Sequence, residues 1–251
     1  MRFPSLLSSL SFFTITFAAP PLSTMKREPV TSINWAGALL RGSYLSAATG
    51  TFVVPDITKI PAGGNPSIEY TGAAWVGIDG PECGGPKGGQ NNLKTGVYWS
   101  FNKQGVNNLA MHAFYEWSPA PMVLWSSGDL SVHPGDLIKA TVQLTTPTSG
   151  VATIENLTAR QTARQEFSGM GALCLETAEW IVGNFQREAK VANMGFADFG
   201  TLEFSDAYAT LAVGHAPTVV DTQIWNIWGD NKPLTDCKRL GPTNIACTYL
   251  K

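Results

Sequence analysis

Short apolar runs alternate with turn residues along most of the chain, and this pattern constrains the fold more than any other feature. Runs rich in Val, Ile, Thr and aromatic residues lie between segments rich in Gly, Pro and Asn; examples are TFVVP, TGVYWSF, DLIKATVQLTT and TQIWNIW. Such runs are typical of strands joined by turns, and no convincing helical period extends beyond two turns. The sequence therefore predicts an all-β protein with many antiparallel strands and little helix.

Length and alternation favour a single β-sandwich. Sandwiches of a little over 200 residues commonly form one domain. Within DLIKATVQLTT one face is apolar and the other is mixed, which is typical of a sheet with one buried face; the apolar set is Ile138, Ala140, Val142 and Leu144. Charged residues make up only 14% of the chain, well below the roughly 25% of ordinary soluble domains.

Three acidic residues lie in apolar or aromatic surroundings. Glu179 is in TAEWIVGNF, Asp79 in AAWVGIDG and Glu116 in FYEWSP. Burying an unpaired carboxylate costs several kcal/mol, so such a site must pair, hydrate or neutralise the group. Each outcome shifts the pKa, and a shifted carboxyl pKa is one way to obtain a general acid or base. We expect the three acids to share one cleft.

Period-two alternation predicts where Glu179 points. Thr177, Glu179 and Ile181 fall on one face of the strand, and Trp180 and Val182 on the other. Glu179 is therefore expected to project from a concave sheet face into a groove rather than into the core between two sheets.

The N-terminus predicts secretion and processing. Arg2, an apolar stretch over residues 6–17 and the small residues after it are typical of a signal peptide, expected to span residues 1–19. Lys26-Arg27 is a dibasic pair, which is either a processing site ending a propeptide at residues 20–27 or an ordinary exposed pair. Cleavage there would leave one domain over residues 28–251. It would also remove three of the 17 basic residues and none of the 19 acidic ones, giving a net charge of −5.

These features limit the partners. A mildly acidic surface argues against nucleic acid, and no apolar stretch reaches the roughly 18 residues of a membrane span. We expect a secreted, extracellular protein that is a monomer and needs no metal or other cofactor. A low density of surface charge would also make the fold tolerant of acid.

Four cysteines in an oxidising compartment allow three disulfide pairings. We favour Cys237 with Cys247, which would close a short loop, and Cys83 with Cys174, which would join the segment after Asp79 to the segment before Glu179. No cysteine spacing suggests a metal site. Asn156-Leu157-Thr158 is a glycosylation sequon, so Asn156 is a predicted glycan acceptor.

The motifs exclude some chemistries and leave others open. The chain has no Gly-x-Ser-x-Gly, and none of its histidines has the setting of a catalytic triad; the histidines are His112, His133 and His215. Carboxylate chemistry remains, either as a glycosidase with a carboxylate pair about 5 Å apart or as a peptidase in which a carboxylate activates water. For Asp79, which Gly80 and Pro81 follow, a purely structural role is an equal alternative.

The order and spacing of several runs resemble the fungal glutamic peptidases, or eqolisins. The resemblance covers about residues 31–250, and the runs that carry it are INWAGALL, AWVGIDG, YEWSP, PGDLIKATV, ATIENLT and LCLETAEWIVGNF. It implies a concanavalin-like or jelly-roll sandwich of two antiparallel sheets with about seven strands each. It further implies acid endopeptidase activity on polypeptides, with no metal.

The resemblance also implies roles for particular residues. Glu179 matches the family's general base, and the substrate groove is lined by residues that match Trp35, Trp75, Tyr115 and Glu116. We add Asp79 to this groove as a predicted substrate-binding residue. Cleavage after Arg27 matches maturation from a propeptide with a basic end.

The chain departs from the family pattern at the second catalytic position. The family has a glutamine in Leu-Gln-Thr-Gly, where this chain has Leu93-Lys94-Thr95-Gly96. Either Lys94 or Gln90, in the longer loop before it, is expected to take the role of that glutamine. A Lys94 ammonium beside Glu179 would lower the glutamate's pKa and offer N–H donors to an oxyanion. Alternatively, the two groups could form an ion pair and leave a weakened or inactive paralogue that binds peptide or polysaccharide. His112 stands where the family tends to have an acid.

Overall fold

The computed structural model describes residues 28–57, 59–80, 83, 91–102, 109–184, 194–212, 219–229 and 231–251. Within them the chain forms strands and one short 3₁₀ helix, Val219–Asp221. No helix in the described ranges is long and apolar enough to cross a membrane. The prediction of an all-β fold with little helix is confirmed. The predicted signal peptide and propeptide lie outside the described residues.

The described residues form two sheets, and the first has ten strands in the order β1-β14-β2-β11-β4-β5-β6-β7, with β12 beside β4 and β15 beside β14. Its members are β1 (Val30–Ser32), β2 (Trp35–Arg41), β4 (Glu69–Asp79), β5 (Asn92–Phe101), β6 (Leu109–Trp117), β7 (Val123–Leu124), β11 (Thr177–Gly183), β12 (Met194–Phe196), β14 (Gln223–Gly229) and β15 (Lys232–Pro233). The expectation of about seven strands is too low for this sheet because short edge strands extend it. Two of them pair parallel, β1 with β14 and β12 with β4.

The second sheet has seven strands within the described ranges, in the order β10-β9-β8-β3-β13-β17-β16. They are β3 (Leu45–Val53), β8 (Leu137–Thr146), β9 (Ser149–Asn156), β10 (Gln161–Phe167), β13 (Thr201–Leu211), β16 (Thr235–Arg239) and β17 (Ile245–Tyr249). The alternation predicted for β8 is confirmed: Ile138, Ala140 and Val142 are buried, whereas Leu137 and Gln143 on the other face are exposed.

The main core lies between the sheets. It joins residues such as Val76, Val97 and Trp180 of the ten-stranded sheet to Phe52 and Ile154 of the seven-stranded sheet. A smaller apolar cluster lies on the opposite, outer face of the ten-stranded sheet and contains Trp35, Ala73, Trp75, Phe114 and Ile181. We use "outer face" below for this side of the ten-stranded sheet.

Both favoured disulfides are present. Cys83 pairs with Cys174 and Cys237 with Cys247, with Cα–Cα distances of 5.5 and 4.0 Å. The first ties the chain just after β4 to the segment just before β11, which is the segment that leads into Glu179.

Candidate active site

Glu179, Lys94 and Glu116 lie in one row across the outer face of the ten-stranded sheet. In the strand register, Glu179 of β11 is opposite Gly77 of β4, Gly77 is opposite Lys94 of β5, and Lys94 is opposite Glu116 of β6. Residues in register on adjacent strands point to the same side of a sheet. Long-range strand pairing therefore brings together charged residues that are far apart in the sequence.

Gly77 makes room in this row for the glutamate. A Cβ atom at this position would lie only 2.7 Å from Oε1 of Glu179, a separation that real Cβ contacts do not reach. Gly80 is also close, because a Cβ there would lie 3.2 Å from Oε2 of Glu179, and its backbone φ is +141°. The Glu179 carboxyl thus lies over backbone that carries no side chains.

The Glu179 carboxyl is fully buried, with 0% of the residue exposed. The indole Nε1 of Trp75 donates a hydrogen bond of 2.8 Å to Oε1. No donor from the described part of the chain bonds to Oε2. The alternation predicted for β11 is confirmed, since Ile181 joins the outer cluster and Trp180 the main core. The expectation that Glu179 projects into an open groove is wrong, because every residue of β11 is buried.

Burial dominates the titration of this carboxyl. The pKa of Glu179 is raised from 4.5 to about 8, and removal of the carboxyl from water is the largest cause. The Trp75 hydrogen bond and the charge of Lys94 act to lower this pKa, whereas the charges of Asp79 and Glu116 act to raise it. The sequence-based expectation that Lys94 lowers the pKa is correct in direction, but removal from water has the larger effect.

Lys94 pairs with Glu116 and not with Glu179, the partner in the alternative raised by the sequence. Its Nζ lies 3.1 Å from Oε2 of Glu116, and both side chains are largely buried. The same ammonium lies 5.4 Å from the ring centroid of Trp75, within the range of a cation–π contact. The hydroxyl of Ser118 donates a short hydrogen bond to Oε1 of Glu116. Lys94 is therefore held by Glu116 and Trp75, and only Gly77 lies between it and Glu179 in the row.

The two predicted groove tryptophans lie on the same outer face. The rings of Trp35 and Trp75 meet edge to face with centroids 6.0 Å apart. Tyr98 and Met122 pack against their cluster. The aromatic side of the site therefore begins directly beside Glu179, through the Trp75 indole that bonds to it.

Tyr115 does not line this face, so that expectation is corrected. Tyr115 packs against the main core, with its ring 4.7 Å from Trp125 and 5.8 Å from Phe167. The physical reason is alternation: Tyr115 and Glu116 are adjacent in β6 and must point to opposite faces.

Asp79 is a structural carboxylate, which corrects its prediction as a substrate-binding residue. It is fully buried and accepts backbone hydrogen bonds from Leu175, Glu176 and Thr177 at 2.8, 2.9 and 3.2 Å. These bonds fix the chain that enters β11. Asp79 thereby helps to set the position of Glu179, two residues beyond Thr177.

Several other predicted sites have clear outcomes. Asn156 is fully buried and its Nδ2 donates to Ser131 and Asp136, so glycosylation of Asn156 is contradicted in the folded protein. Asp79, Cys83 and Cys174 form a cluster of metal-ligand type, but both sulfurs are in the disulfide. Gln90 lies outside the described residues. His112 is half-buried and opposite Tyr98.

The row does not favour the glycosidase alternative. Two strands, β4 and β5, separate Glu179 from Glu116, so their backbones are about 14 Å apart at the usual strand spacing. Glu116 is also already in an ion pair with the Lys94 ammonium. A retaining glycosidase needs its two carboxyl groups about 5 Å apart, with both available to the sugar.

Sequence reasoning missed Gly77 and Ser118. Gly77 could have been found, because it lies between Trp75 and Asp79 at the same two-residue spacing in AAWVGIDG. Ser118 follows the strand that carries Glu116, and its contact becomes visible only in the folded chain.

Comparisons with known proteins agree with this geometry. The model of the Peptidase A4 family matches residues 33–249. Aspergillopepsin-2 from Aspergillus niger is 35% identical over 87% of this chain and 78% of its own. Scytalidopepsin B from Scytalidium lignicola is 32% identical over 93% and 84%.

Solved structures are similar as well. Scytalido-glutamic peptidase with a transition state analogue inhibitor superimposes with a TM-score of 0.72, at 33% identity, over 87% of this chain and 98% of that one. Aspergilloglutamic peptidase from Aspergillus niger gives a TM-score of 0.62, at 36% identity, over 72% and 99%. The predicted family is confirmed: this chain belongs to the Peptidase A4 family of glutamic peptidases.

Proposed function

We propose that this protein is an endopeptidase that hydrolyses polypeptides at the outer-face row, with Glu179 as general base and Lys94 in the role of the family's glutamine. The observation that carries the proposal is the position of the Glu179 carboxyl over Gly77. There Oε2 accepts no hydrogen bond from the described part of the chain, and Lys94 lies opposite Gly77 on the adjacent strand β5. One solved structure of a relative contains a transition state analogue and another solved structure contains the tripeptide Ala-Ile-His, which supports a polypeptide substrate here.

The chemistry follows from these positions. Oε2 of ionised Glu179 takes a proton from water while the water oxygen bonds to the carbonyl carbon of the peptide. The Lys94 ammonium donates to the oxyanion that forms on the carbonyl oxygen. Glu179 then returns the proton to the amide nitrogen as the carbon–nitrogen bond breaks, which leaves a free carboxyl end and a free amine end.

The raised pKa of Glu179 limits when this base is ready. In the free protein the carboxyl is neutral below about pH 8, so kcat/KM, which reports the free enzyme, is expected to rise with pH up to that value. The acid activity implied by the resemblance requires a lower pKa in the substrate complex. A water bonded to Oε2 and the charge of Lys94 both act in that direction.

The apolar cluster is the proposed binding surface for substrate side chains. Trp75, Phe114 and Ile181 are almost fully buried. The proposed contacts are therefore Trp35, the least buried of the cluster, and the partly buried Tyr98 and Met122 that pack against it. Such surfaces bind the apolar side chains of a peptide through buried area. We propose that the occupant is an extended polypeptide.

We also propose that the protein is secreted and processed after Arg27 to a mature domain over residues 28–251. Two disulfides support an oxidising compartment. N-terminal sequencing of the protein purified from culture medium would test both points, with Glu28 expected as the first residue.

The main test is hydrolysis of denatured haemoglobin by the purified protein between pH 2 and 8, with Glu179→Gln as the decisive variant. Loss of a positioned general base typically lowers the rate by 10²- to 10⁴-fold, roughly the effect expected here. Glu155→Gln is the matched control, because Glu155 is a paired glutamate on the other sheet. Full activity of Glu179→Gln would contradict the proposed base. Absence of hydrolysis at every pH would leave the binding paralogue.

The oxyanion donor has its own test. Lys94→Met removes the donor and is expected to lower kcat by about 10²- to 10³-fold, whereas Lys94→Gln keeps an N–H donor and should lose less. If Gln90→Ala has the large effect and Lys94→Met a small one, Gln90 and not Lys94 supplies the donor.

A further inference from the structure

Glu116 uses both of its carboxylate oxygens within the protein. Oε2 lies 3.1 Å from the Lys94 ammonium, and Oε1 accepts the Ser118 hydroxyl. The same hydroxyl oxygen lies 2.8 Å from Oδ1 of Asn92, and the Ser118 backbone N–H donates to the Asn92 carbonyl at 2.9 Å. The carboxylate that the sequence suggested as a substrate contact is thus already bound.

Lys94 needs such an anchor more than a glutamine would. Its ammonium is a point charge on a flexible four-carbon chain, and holding it in one place costs side-chain entropy. Glu179 is the competing partner, since it lies across Gly77 on the same face and its carboxyl responds to the charge of Lys94. Two charges in contact there would block the oxygen that must accept a proton from water.

We propose that Glu116 is a positioning residue that, held by Ser118, keeps the Lys94 ammonium over Trp75 and apart from Glu179. The inference rests on the proposed function, because it assigns Glu116 a role through Lys94 in the same reaction. The Lys94 ammonium then lies beside Glu179 as an oxyanion donor without neutralising the base. Asp79 is the other acid that acts on Glu179, but backbone N–H groups hold it in place.

A double-mutant cycle of Glu116→Gln and Lys94→Gln tests this role. If Glu116 acts through Lys94, Glu116→Gln should lower kcat by about tenfold or more in the native background and by less than about twofold in the Lys94→Gln background. KM should change little in either. An equal loss in both backgrounds, or a loss confined to KM, would mean that Glu116 contacts the substrate and would overturn the proposal.

A second readout does not depend on catalysis. Carbon-13 NMR of labelled glutamate can follow the titration of Glu179 in the same four proteins. Glu116→Gln should lower the Glu179 pKa, because it releases Lys94 toward Glu179. This downward shift should be larger in the native background than in the Lys94→Gln background. Equal shifts in the two backgrounds would overturn the proposal, even if none of the proteins were a peptidase.

Two further variants complete the design. Ser118→Ala loosens Glu116 and should change kcat and the Glu179 titration in the same direction as Glu116→Gln, by a smaller amount. The pair Lys139 and Glu155 is a cross-strand ion pair of 3.3 Å on the other sheet. Glu155→Gln should alter neither readout, which separates positioning from a general effect of lost ion pairs.

Discussion

Asp79 and Glu179 are two fully buried carboxylates near the same end of the outer face, yet their surroundings differ. Asp79 accepts three backbone hydrogen bonds from residues 175–177. Glu179 accepts one, from the Trp75 indole, and its Oε2 has no donor from the described chain. The two acids are equally removed from water, so the difference lies in what replaced the water.

The difference separates a structural acid from a reactive one. Hydrogen bonds to the charged form offset the cost of burying a carboxylate. At Asp79 the backbone provides them, and the carboxylate in turn organises the entry to β11. At Glu179 desolvation outweighs the one indole bond and the Lys94 charge, so the pKa rises to about 8. A buried carboxyl with an open oxygen and a shifted pKa is suited to proton transfer.

The largest expected effect is a loss of stability as pH rises, caused by Glu179. The carboxyl titrates at about 8 in the folded protein against 4.5 ordinarily, so between these values the folded chain holds a proton that the unfolded chain has released. Stability from this group is full below about pH 4.5 and is lost as pH rises through 8. At 1.36 kcal/mol per pKa unit, the loss is on the order of 5 kcal/mol.

Urea unfolding at pH 4 and pH 8 measures this effect. Glu179→Gln cannot ionise and should remove most of the Glu179 contribution to the decline, so the variant becomes more stable than the native protein at pH 8 but not at pH 4. If Glu179→Gln and the native protein lose the same free energy of unfolding between the two pH values, the carboxyl does not titrate as described.

The second effect is the stability that Asp79 supplies. Asp79→Ala leaves the N–H groups of residues 175–177 without their acceptor, and an unsatisfied buried group costs about 1–3 kcal/mol. We expect a loss of about 3 kcal/mol in the free energy of unfolding at pH 4, where Glu179 is neutral and does not contribute to the difference. Chemical denaturation at fixed pH gives the value directly. A loss below about 1 kcal/mol would contradict the structural role of Asp79.

Much of the fold could be predicted because it follows from local pattern. Turn spacing predicts the strands, and period-two alternation places Glu179 and Trp180 on opposite faces of β11. The same rule, applied to FYEWSP, would have separated Tyr115 from Glu116. The disulfides followed from an even cysteine count and from short or site-closing loops.

The rest depends on contacts between distant segments. The pairing of Lys94 with Glu116 requires the register of β5 against β6, and no local signal fixes that register. Burial of Glu179 depends on what packs over the sheet, so the strand pattern could not predict it. The sequon at Asn156 can be recognised from the sequence, but attachment of a glycan requires an exposed asparagine side chain. The side chain of Asn156 instead donates to Ser131 and Asp136.

The smallest expected effect on stability comes from filling the space at Gly77. Gly77→Ala would place a Cβ 2.7 Å from Oε1 of Glu179, so the carboxyl must move and its bond to Trp75 weakens. Overpacking of this kind costs about 1–3 kcal/mol. Gly72→Ala is the matched control, because its Cβ would also come within 2.7 Å of a neighbour, here the Trp99 indole. Both should lower the melting temperature, but only Gly77→Ala should also shift the Glu179 pKa and lower kcat. If the two variants affect kcat equally, the clearance over Gly77 contributes nothing particular to the reactive acid.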